Sequence, residues 1–527
     1  MSQTIAKKLP IGVQDFTILR TEGFVYVDKT ELLHRLITQN RVYFLSRPRR
    51  FGKSLLISTL EAIFQGKKEL FKDLWIEKSG YDWKPHPVIR IDMSETVRTS
   101  PELLAESLIK LLKRIASTHQ LELGNSLSPG DAFSMLITLL AERGHKVVVL
   151  IDEYDKPIID NISNPELALK MRDILRPFYG ILKAQDGNLR FILLTGVTKF
   201  SKASVFSELN NLQDLTLTDQ YSHLLGYTQT ELETVFADRI VQLAEKYKHT
   251  ITEELDNIKQ WYNGYHFSAE GQSVYNPFST LLLLEQQTYM NHWFATATPK
   301  FLIDLLETRH YAPETIEGAE INFDGFGSYD IERLELLPLL YQTGYLTIKS
   351  YDPRFRTYLL GYPNLEVEQS FKEAVLNRLA EVAPEQRTQL ILNLIRSLEK
   401  KDYTWFFEVL KTFFARLPYE LHQPTEAYYH SIFYLIFHLL GYPIGAEVHT
   451  NLGRIDAVIE LPDQILIFEF KLNQSAEVAL KQIHDKQYYA PYVNMGKAMV
   501  LFGVEFSTEL RNVKAWRVEA LKKGESV

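Results

Sequence analysis

The sequence predicts an α/β protein in which two sheet-containing domains flank a largely helical region. Short strand-like segments rich in apolar residues alternate with helical patterns in the first part of the chain, which is typical of a parallel sheet buried on both faces. These segments lie at residues 42–45, 88–92, 147–151, 191–195 and 214–217. Helical spacing dominates from residue 228, and strand-like segments return after residue 440. The predicted domains are therefore 1–227, 228–370, 371–420 and 421–527.

The composition narrows the class of protein. Of the 527 residues, 45% are hydrophobic and 24% are charged, as in ordinary globular proteins. A net charge of −8 argues against a nucleic-acid coat or a membrane-surface binder, although it leaves room for a local basic groove. The absence of cysteine excludes disulfides, thiolate zinc sites and a cysteine nucleophile. With no signal-peptide pattern and no apolar run near the ~18 residues that span a bilayer, we expect a cytoplasmic protein without a membrane partner.

The first candidate site lies at residues 41–60, RVYFLSRPRRFGKSLLISTL. A short strand runs into a loop, and Gly52-Lys53-Ser54 opens a helix, which is the layout of a nucleotide-phosphate loop. The free N–H groups and dipole of the helix N-terminus favour phosphate there. Lys53 would reach the β- and γ-phosphates, and the Ser54 hydroxyl would hold Mg²⁺. Arg47 occupies the position where the general motif has its first glycine. The ATP-binding residues predicted in this loop are Arg49, Arg50, Gly52, Lys53, Ser54 and Leu55.

An acidic pair, Asp152-Glu153, follows the apolar strand at 147–151. In P-loop ATPases the first carboxylate orders water on Mg²⁺, and the second positions or activates the attacking water. The alternative is a solvated turn or a helix cap. Thr195 ends the next strand and is a candidate sensor of the γ-phosphate, with Thr198 and Lys199 behind it. Residues 11–36 either fold over the adenine ring or form an ordinary covering helix.

Several sequence blocks together resemble one family. YVDKTELL, RPRRFGKS, VVVLIDEYDKP, LLTGVTKFS, WYNGYHF and VYNPFS are similar to the bacterial AAA-ATPase-like family, many of whose members carry a C-terminal PD-(D/E)XK nuclease domain. The arginine-rich loop is typical of that family. The resemblance implies a P-loop ATPase fold in which Lys53, Ser54, Asp152 and Glu153 take the phosphate, metal and hydrolysis roles. Many P-loop ATPases form rings or dimers, so we also expect a homo-oligomer.

The middle of the chain predicts a helical lid followed by a winged-helix-like module. Two strands joined by Asp-Pro within residues 341–360 would form the wing. The segment 371–420 is expected to be a helical connector. Aromatic residues around the Asn-Gly turn of WYNGYHF predict packing of the lid, with base stacking by Trp261 or Tyr265 as the alternative.

The second candidate site lies near the C-terminus. Asp456 is on the predicted strand 453–461, and Glu469-x-Lys471 is on the strand 464–472. Residues two apart on a strand share one face, and a hairpin would place Asp456 beside them. Two carboxylates and a backbone carbonyl, that of Phe470, would hold Mg²⁺ or Mn²⁺, while Lys471 would orient a water or stabilise phosphate charge. The alternative is an amphipathic hairpin with an exposed E-x-K sequence.

Two further residues complete this constellation. Glu426, near the start of the predicted helix 425–440, would add a metal ligand or hold a metal-bound water. Gln482 resembles the polar helix residue of related nucleases, although the tyrosine that usually follows it is displaced here to Tyr488 or Tyr489. An acid on one strand and E-x-K on the next is the arrangement of an α/β PD-(D/E)XK restriction-endonuclease-like domain.

We therefore expect an ATP-binding and ATP-hydrolysing protein coupled to a metal-dependent nuclease, with DNA as the substrate and a role in phage defence or mobile-element biology. The alternative is an ATP-driven signalling switch whose nuclease-like domain binds nucleic acid or a partner without cutting.

Overall fold

The chain forms two compact units in the computed structural model. One comprises Met1–Leu302 with Gly318–Val367, and the other comprises Ile303–Glu317 with Glu368–Val527. The structure describes residues 7–125, 127–199, 211–293, 302, 305, 313–327, 335–380, 384–417, 425–440, 444–450 and 453–521. Within these ranges, none of the helices combines the length and the apolar character that crossing a bilayer requires. The boundaries of the four predicted domains stay predictions.

The first unit is built on a five-stranded sheet with the order β2-β3-β4-β1-β5, and every pair of neighbours is parallel. Its strands are β1 Val42–Ser46, β2 Val88–Asp92, β3 Val147–Asp152, β4 Leu189–Gly196 and β5 Gln213–Asp214. This confirms the predicted parallel sheet and its five strands. Leu45 pairs with Thr195, and Asp92 pairs with Asp152. The carboxyl ends of the strands therefore lie together, where open α/β sheets bind ligands.

Helices cover this sheet and continue into the predicted lid. They are α1 Phe16–Thr21, α2 Thr30–Gln39, α3 Lys53–Phe64, α4 Pro101–Thr118, α5 Pro129–Ala141, α6 Lys156–Ile159, α7 Pro165–Ala184, α8 Gln229–Val235, α9 Ala237–Tyr247, α10 Ile251–Tyr262 and α11 Pro277–Gln286. After α10, Tyr265 is 1% exposed and its ring lies 4.8 Å from that of Phe51. A buried ring offers no free face for a base, so this agrees with the packing interpretation for Tyr265, whereas base stacking by the half-buried Trp261 stays an open alternative.

The predicted wing is a three-stranded antiparallel sheet with the order β6-β8-β7. Its elements are β6 Glu320–Asn322, α12 Phe323–Gly327, α13 Leu336–Thr343, β7 Thr347–Asp352 and β8 Thr357–Gly361. The expected pair of strands joined at Asp-Pro is therefore present. The next element, α14 Leu365–Ala380, begins in the first unit and ends in the second.

The second unit contains two further helices of the predicted connector and then the C-terminal α/β domain. Its elements are α15 Pro384–Glu399, α16 Tyr403–Phe414, α17 Glu426–Leu439, β9 Ile444–Thr450, β10 Gly453–Glu460, β11 Gln464–Leu472, α18 Ala476–Asp485, β12 Ala498–Ser507 and β13 Asn512–Leu521. The sheet has the order β13-β12-β11-β10-β9, and only β11 and β12 pair in parallel, with α18 as the crossover between them. The edge strand β13 is absent from the sequence interpretation.

Gly264, in the WYNGYHF turn, offers a test of the lid packing. Its φ is +97°, and an added Cβ would clash with the carbonyl oxygen of Pro363. We expect Gly264→Ala to lower the free energy of unfolding by about 2–5 kcal/mol, since left-handed strain costs about 1–2 kcal/mol and overpacking about 1–3 kcal/mol. Gly144→Ala is the control, because its φ is +95° and its Cβ would meet no atom within 4 Å. Equal losses for the two variants in urea unfolding would contradict the packing account.

Glu366 gives the first unit a pH-dependent stability. Its buried carboxylate accepts hydrogen bonds from the Trp293 N–H at 2.6 Å and the Ser279 hydroxyl at 3.0 Å, and burial raises its pKa from 4.5 to about 7. The folded state therefore binds this proton more tightly than the unfolded state, so stability falls as the pH rises from about 4.5 through 7. We expect the melting temperature of Glu366→Gln, relative to that of wild type, to increase as the pH is raised from 5 to 8. A difference that is constant with pH would show that Glu366 does not titrate there.

Candidate functional site

The phosphate loop folds as the sequence predicts, and its lysine is held by the loop itself. Gly52 has a φ of +93° and caps α3, which begins at Lys53. The Lys53 Nζ donates to the carbonyls of Arg47 and Pro48, at 2.9 Å each. Burial lowers the pKa of Lys53, although Asp152 and Glu153 oppose this. The ammonium is thus held beside the acidic pair, next to the N-terminus of the helix.

A cleft of about 300 Å³ lies over this loop. It brings together six of the predicted ATP-binding residues and Glu153, the residue predicted to position or activate the attacking water. The residues that line it include Arg49, Arg50, Gly52, Lys53, Ser54, Leu55, Glu153 and Lys156. A smaller, mainly apolar cavity of about 90 Å³ adjoins it and shares Gly52, Leu55 and Tyr227 with it. Val25 and Val27 of the leader contribute to the apolar cavity, while the two interpretations of the leader, a cover for the adenine ring or an ordinary covering helix, stay predictions.

Arg47, at the position of the first glycine of the general phosphate-loop motif, stabilises the loop through backbone contacts. The side chain is 1% exposed, and its guanidinium donates to the carbonyls of Ser46, Thr216 and Tyr221, at 2.8, 2.9 and 3.3 Å. It also lies 4.1 Å from the ring of Phe267. Burial lowers its pKa to about 10. Arg47 therefore anchors the loop to neighbouring segments and does not line the cleft.

Asp152 lies at the carboxyl end of β3 and is 1% exposed. Its Oδ1 accepts from the Thr195 hydroxyl at 2.6 Å and from the Glu153 N–H at 3.0 Å. Its Oδ2 is buried and has no hydrogen-bond partner among the described residues. A buried carboxylate oxygen without a donor is costly, so a cation suits this position. The Asp152 Oδ2 thus has the chemistry of a Mg²⁺ ligand, whereas the role of Ser54 as a second ligand stays a prediction. Thr195 contacts Asp152, and its role as a phosphate sensor also stays a prediction.

Glu153 stands on the wall of the cleft in a left-handed conformation, with a φ of +51°. Its carboxylate lies 3.2 Å from the Lys156 Nζ. Burial favours the neutral acid, but Lys156 and Lys53 outweigh it and lower the pKa of Glu153. The carboxylate is therefore ionised, as a residue that accepts a proton or orients a water must be.

The sequence interpretation missed Asp155, two residues beyond the acidic pair. Asp155 is 1% exposed, and its Oδ2 accepts from both the backbone N–H and the hydroxyl of Thr198, at 2.6 Å each. Lys199 is paired with Asp214 at 2.6 Å. Thr198 and Lys199 are thus engaged in fixing the segment after β4. The only signal for this in the sequence is the third acidic residue of the DEYD run.

The C-terminal residues converge as predicted. Ala457 on β10 pairs with Phe468 on the antiparallel β11, and the Asp456 Oδ2 accepts from the Phe470 N–H at 2.7 Å. The Lys471 Nζ lies 2.7 Å from the Glu469 Oε1. The Gln482 amide donates to the same Glu469 oxygen, and it lies 3.2 Å from the Tyr488 hydroxyl. The displaced tyrosine is therefore in contact with Gln482.

The Glu469 carboxylate is the electrostatic centre of this site. Burial and the charge of Asp456 raise its pKa to about 7, while Lys471 opposes the rise. Burial disfavours the charge on Lys471, but Glu469 and Asp456 outweigh it and raise the pKa of Lys471. The charge of Glu426, which is exposed at the start of α17, acts on both residues.

The donor set fits a divalent cation in part. The Glu469 Oε2 is buried and has no hydrogen-bond partner in the described part of the chain. That oxygen lies in a site with the second carboxylate of Asp456, and hard cations prefer such oxygen ligands. No group of three or more His, Cys, Asp or Glu side chains within the described ranges is arranged to hold a metal ion. The Phe470 carbonyl and Glu426 stay predicted ligands.

Comparisons with known proteins match both halves of the chain. A family model described as a predicted AAA-ATPase matches residues 10–206, and a model of the PD-(D/E)XK nuclease superfamily matches residues 424–516. A protein of Azotobacter chroococcum mcd 1, described as an uncharacterized protein in the vnfD 5′ region, is 38% identical over 535 residues, covering 98% of this chain and 99% of the relative.

Solved structures give only weak similarity. Cdc6p from Pyrobaculum aerophilum is 12% identical, covers 72% of this chain and 96% of its own, and has a TM-score of 0.23. The ORC2 protein of Aeropyrum pernix, in its ADPNP–ADP complexes, is 14% identical with the same coverage and a TM-score of 0.28. Similarity at this level carries no argument about the sites. The two family models and the relative of nearly equal length show the family: the chain belongs to the bacterial AAA-ATPase-like family with a C-terminal PD-(D/E)XK nuclease domain.

Proposed function

We propose that the protein binds and hydrolyses ATP with Mg²⁺ in its N-terminal domain and that the nucleotide controls a C-terminal nuclease that cuts DNA with Mg²⁺ or Mn²⁺. One observation supports both halves of the proposal. Each centre holds a buried carboxylate oxygen without a hydrogen-bond partner among the described residues, on Asp152 and on Glu469, and a lysine acts on each carboxylate. Such oxygens are suited to a divalent cation that works on a phosphate ester.

In the N-terminal domain, phosphate recognition would begin at the loop. The Lys53 ammonium would exchange the carbonyls of Arg47 and Pro48 for the β- and γ-phosphates, which the N-terminus of α3 also attracts. Ser54 and Asp152 would hold Mg²⁺, which neutralises charge on the phosphates. Glu153, kept ionised by Lys156, would orient the attacking water and accept its proton.

In the C-terminal domain, Asp456, Glu469 and the Phe470 carbonyl would hold the metal, with Glu426 as a further ligand or as the holder of a bound water. The metal supplies polarisation of the scissile phosphate and a lowered pKa of bound water. Lys471 and Gln482 fix one oxygen of Glu469, which leaves the other for the cation. Lys471 would also orient the water or stabilise charge on the phosphate.

The remaining parts of the proposal concern coupling, assembly, location and biological role. Coupling between the two activities is supported by their presence in one chain and by a relative of nearly equal length. Assembly into a homo-oligomer is proposed because many P-loop ATPases act as rings or dimers. A cytoplasmic location is supported by the absence of cysteine, and phage defence or mobile-element biology would use an ATP-controlled nuclease.

Nucleotide binding and hydrolysis can be separated by two variants. We expect Lys53→Ala to lose ATP binding, because it removes the cation beside the phosphates. Glu153→Gln should keep ATP binding but hydrolyse it at least about 100-fold more slowly, since positioned proton transfer contributes about 10²–10⁴-fold. Glu166→Gln is the matched control, because Glu166 is exposed and pairs with Lys170. Binding is measured with a fluorescent ATP analogue and hydrolysis by phosphate release. Wild-type hydrolysis by Glu153→Gln would remove it from the proposed role.

Cleavage is tested on the full-length protein with plasmid, linear and single-stranded DNA, with Mg²⁺ or Mn²⁺ and with or without ATP. We expect wild type to cut, and Lys471→Ala and Asp456→Asn to cut at least about 100-fold more slowly, because they remove the charge partner and a metal ligand. Lys497→Ala is the control, since Lys497 pairs with Glu460 in the same domain, at 3.7 Å. A wild type that hydrolyses ATP and cuts nothing under any condition would favour the signalling switch.

A further inference from the structure

A buried histidine contacts the backbone of Asp456 from the neighbouring helix. His430 lies on α17 and is 6% exposed, and its Nε2 lies 2.6 Å from the carbonyl oxygen of Asp456. A carbonyl oxygen only accepts hydrogen bonds, so the Nε2 carries the hydrogen and donates it. His430 is four residues after Glu426, and residues at this spacing share one face of a helix. The helix that carries Glu426 is therefore attached to the strand that carries Asp456.

The other nitrogen of this histidine faces a buried carboxylate from a distant part of the sequence. The Glu314 side chain is 5% exposed, and its Oε1 lies 3.5 Å from the His430 Nδ1. The Ser431 hydroxyl lies 3.0 and 3.2 Å from the two Glu314 oxygens and donates to the carboxylate. Burying a carboxylate is costly unless donors surround it. Glu314 is therefore held in place by Ser431 and His430, although it lies 117 residues before Ser431 in the sequence.

The result is that Asp456 is fixed at two points. Its carbonyl accepts from His430, and its side-chain Oδ2 accepts from the Phe470 N–H at 2.7 Å. These two bonds set the direction in which the carboxylate points. Removing a group that hydrogen-bonds to a metal ligand and orients it typically lowers metal affinity or activity by about 10–100-fold.

We propose that Glu314 and His430 are positioning residues of the metal site, which they serve by holding Asp456 in its ligating orientation. The inference rests on the proposed metal-dependent function. It also means that the segment matched by the nuclease family model, residues 424–516, does not contain the whole site. A residue that precedes it by more than a hundred positions completes the support of Asp456.

The test measures Mn²⁺ binding to the full-length protein by calorimetry and by the electron paramagnetic resonance of free Mn²⁺. The site is defined as the one that Asp456→Asn abolishes. We expect His430→Ala and Glu314→Gln to weaken Mn²⁺ binding at that site about tenfold or more. We expect His430→Gln, whose amide can donate to the same carbonyl, to recover most of the affinity. His438→Ala is the matched control on the same helix, because its contacts are with Lys372 and Glu368.

Melting temperatures of all variants are measured in parallel, so that a loss of folding is separated from a loss of metal affinity. Wild-type Mn²⁺ affinity in folded His430→Ala and Glu314→Gln would overturn the inference and leave the proposed function intact. Equal weakening by His438→Ala, or no recovery in His430→Gln, would also overturn it, since the effect would then be general. A wild type without any Asp456-dependent Mn²⁺ site would overturn the metal-dependent function and the inference with it.

Discussion

A buried carboxylate oxygen without a donor is the constraint on which both candidate sites depend. Asp152 and Glu469 each leave one such oxygen among the described residues, and an unsatisfied buried polar group costs about 1–3 kcal/mol, more when it is charged. The contacts around each carboxylate must therefore offset the free-energy cost of burying it. A divalent cation would relieve that cost, so the same interaction that destabilises the free protein would give the bound ion its affinity.

Each site meets this constraint by fixing the carboxylate's other oxygen. Thr195, at the tip of a neighbouring strand, donates to the Asp152 Oδ1, and the Lys471 and Gln482 side chains hold the Glu469 Oε1. In the first unit the support comes from parallel strands whose carboxyl ends lie together. In the C-terminal domain it comes from the alternation of side chains along β11 and from the crossover helix α18. Two unrelated sheets thus present one oxygen of an acid and tie down the other.

The sequence predicted what local periodicity encodes. Unbroken apolar segments located the strands of the parallel sheet, and the two-residue spacing of Glu469 and Lys471 placed both on one face of a strand. It did not predict interactions between distant segments, because these leave no periodic signal. In the sequence, Arg47 is only a departure from the general phosphate-loop motif. Its structural role becomes clear from its hydrogen bond to the carbonyl of Thr216, 169 residues away. The contact of Glu314 with Ser431 and His430 was missed for the same reason. These long-range contacts could therefore be identified only from the structure. The edge strand β13 pairs locally with β12, and it was missed because most of its residues are exposed or half-buried and so lack a clear apolar alternation.

The central claim is that two separate acidic centres in one chain each take a divalent cation. It is tested most directly by a crystal structure of the full-length protein grown with Mn²⁺ and a non-hydrolysable ATP analogue, using anomalous scattering to locate manganese. The account predicts one anomalous peak between Ser54 and Asp152, beside the phosphates, and a second bounded by Asp456 and Glu469. A peak at the nucleotide alone, with Lys471 still paired to Glu469 and no manganese between the carboxylates at saturating Mn²⁺, would contradict it.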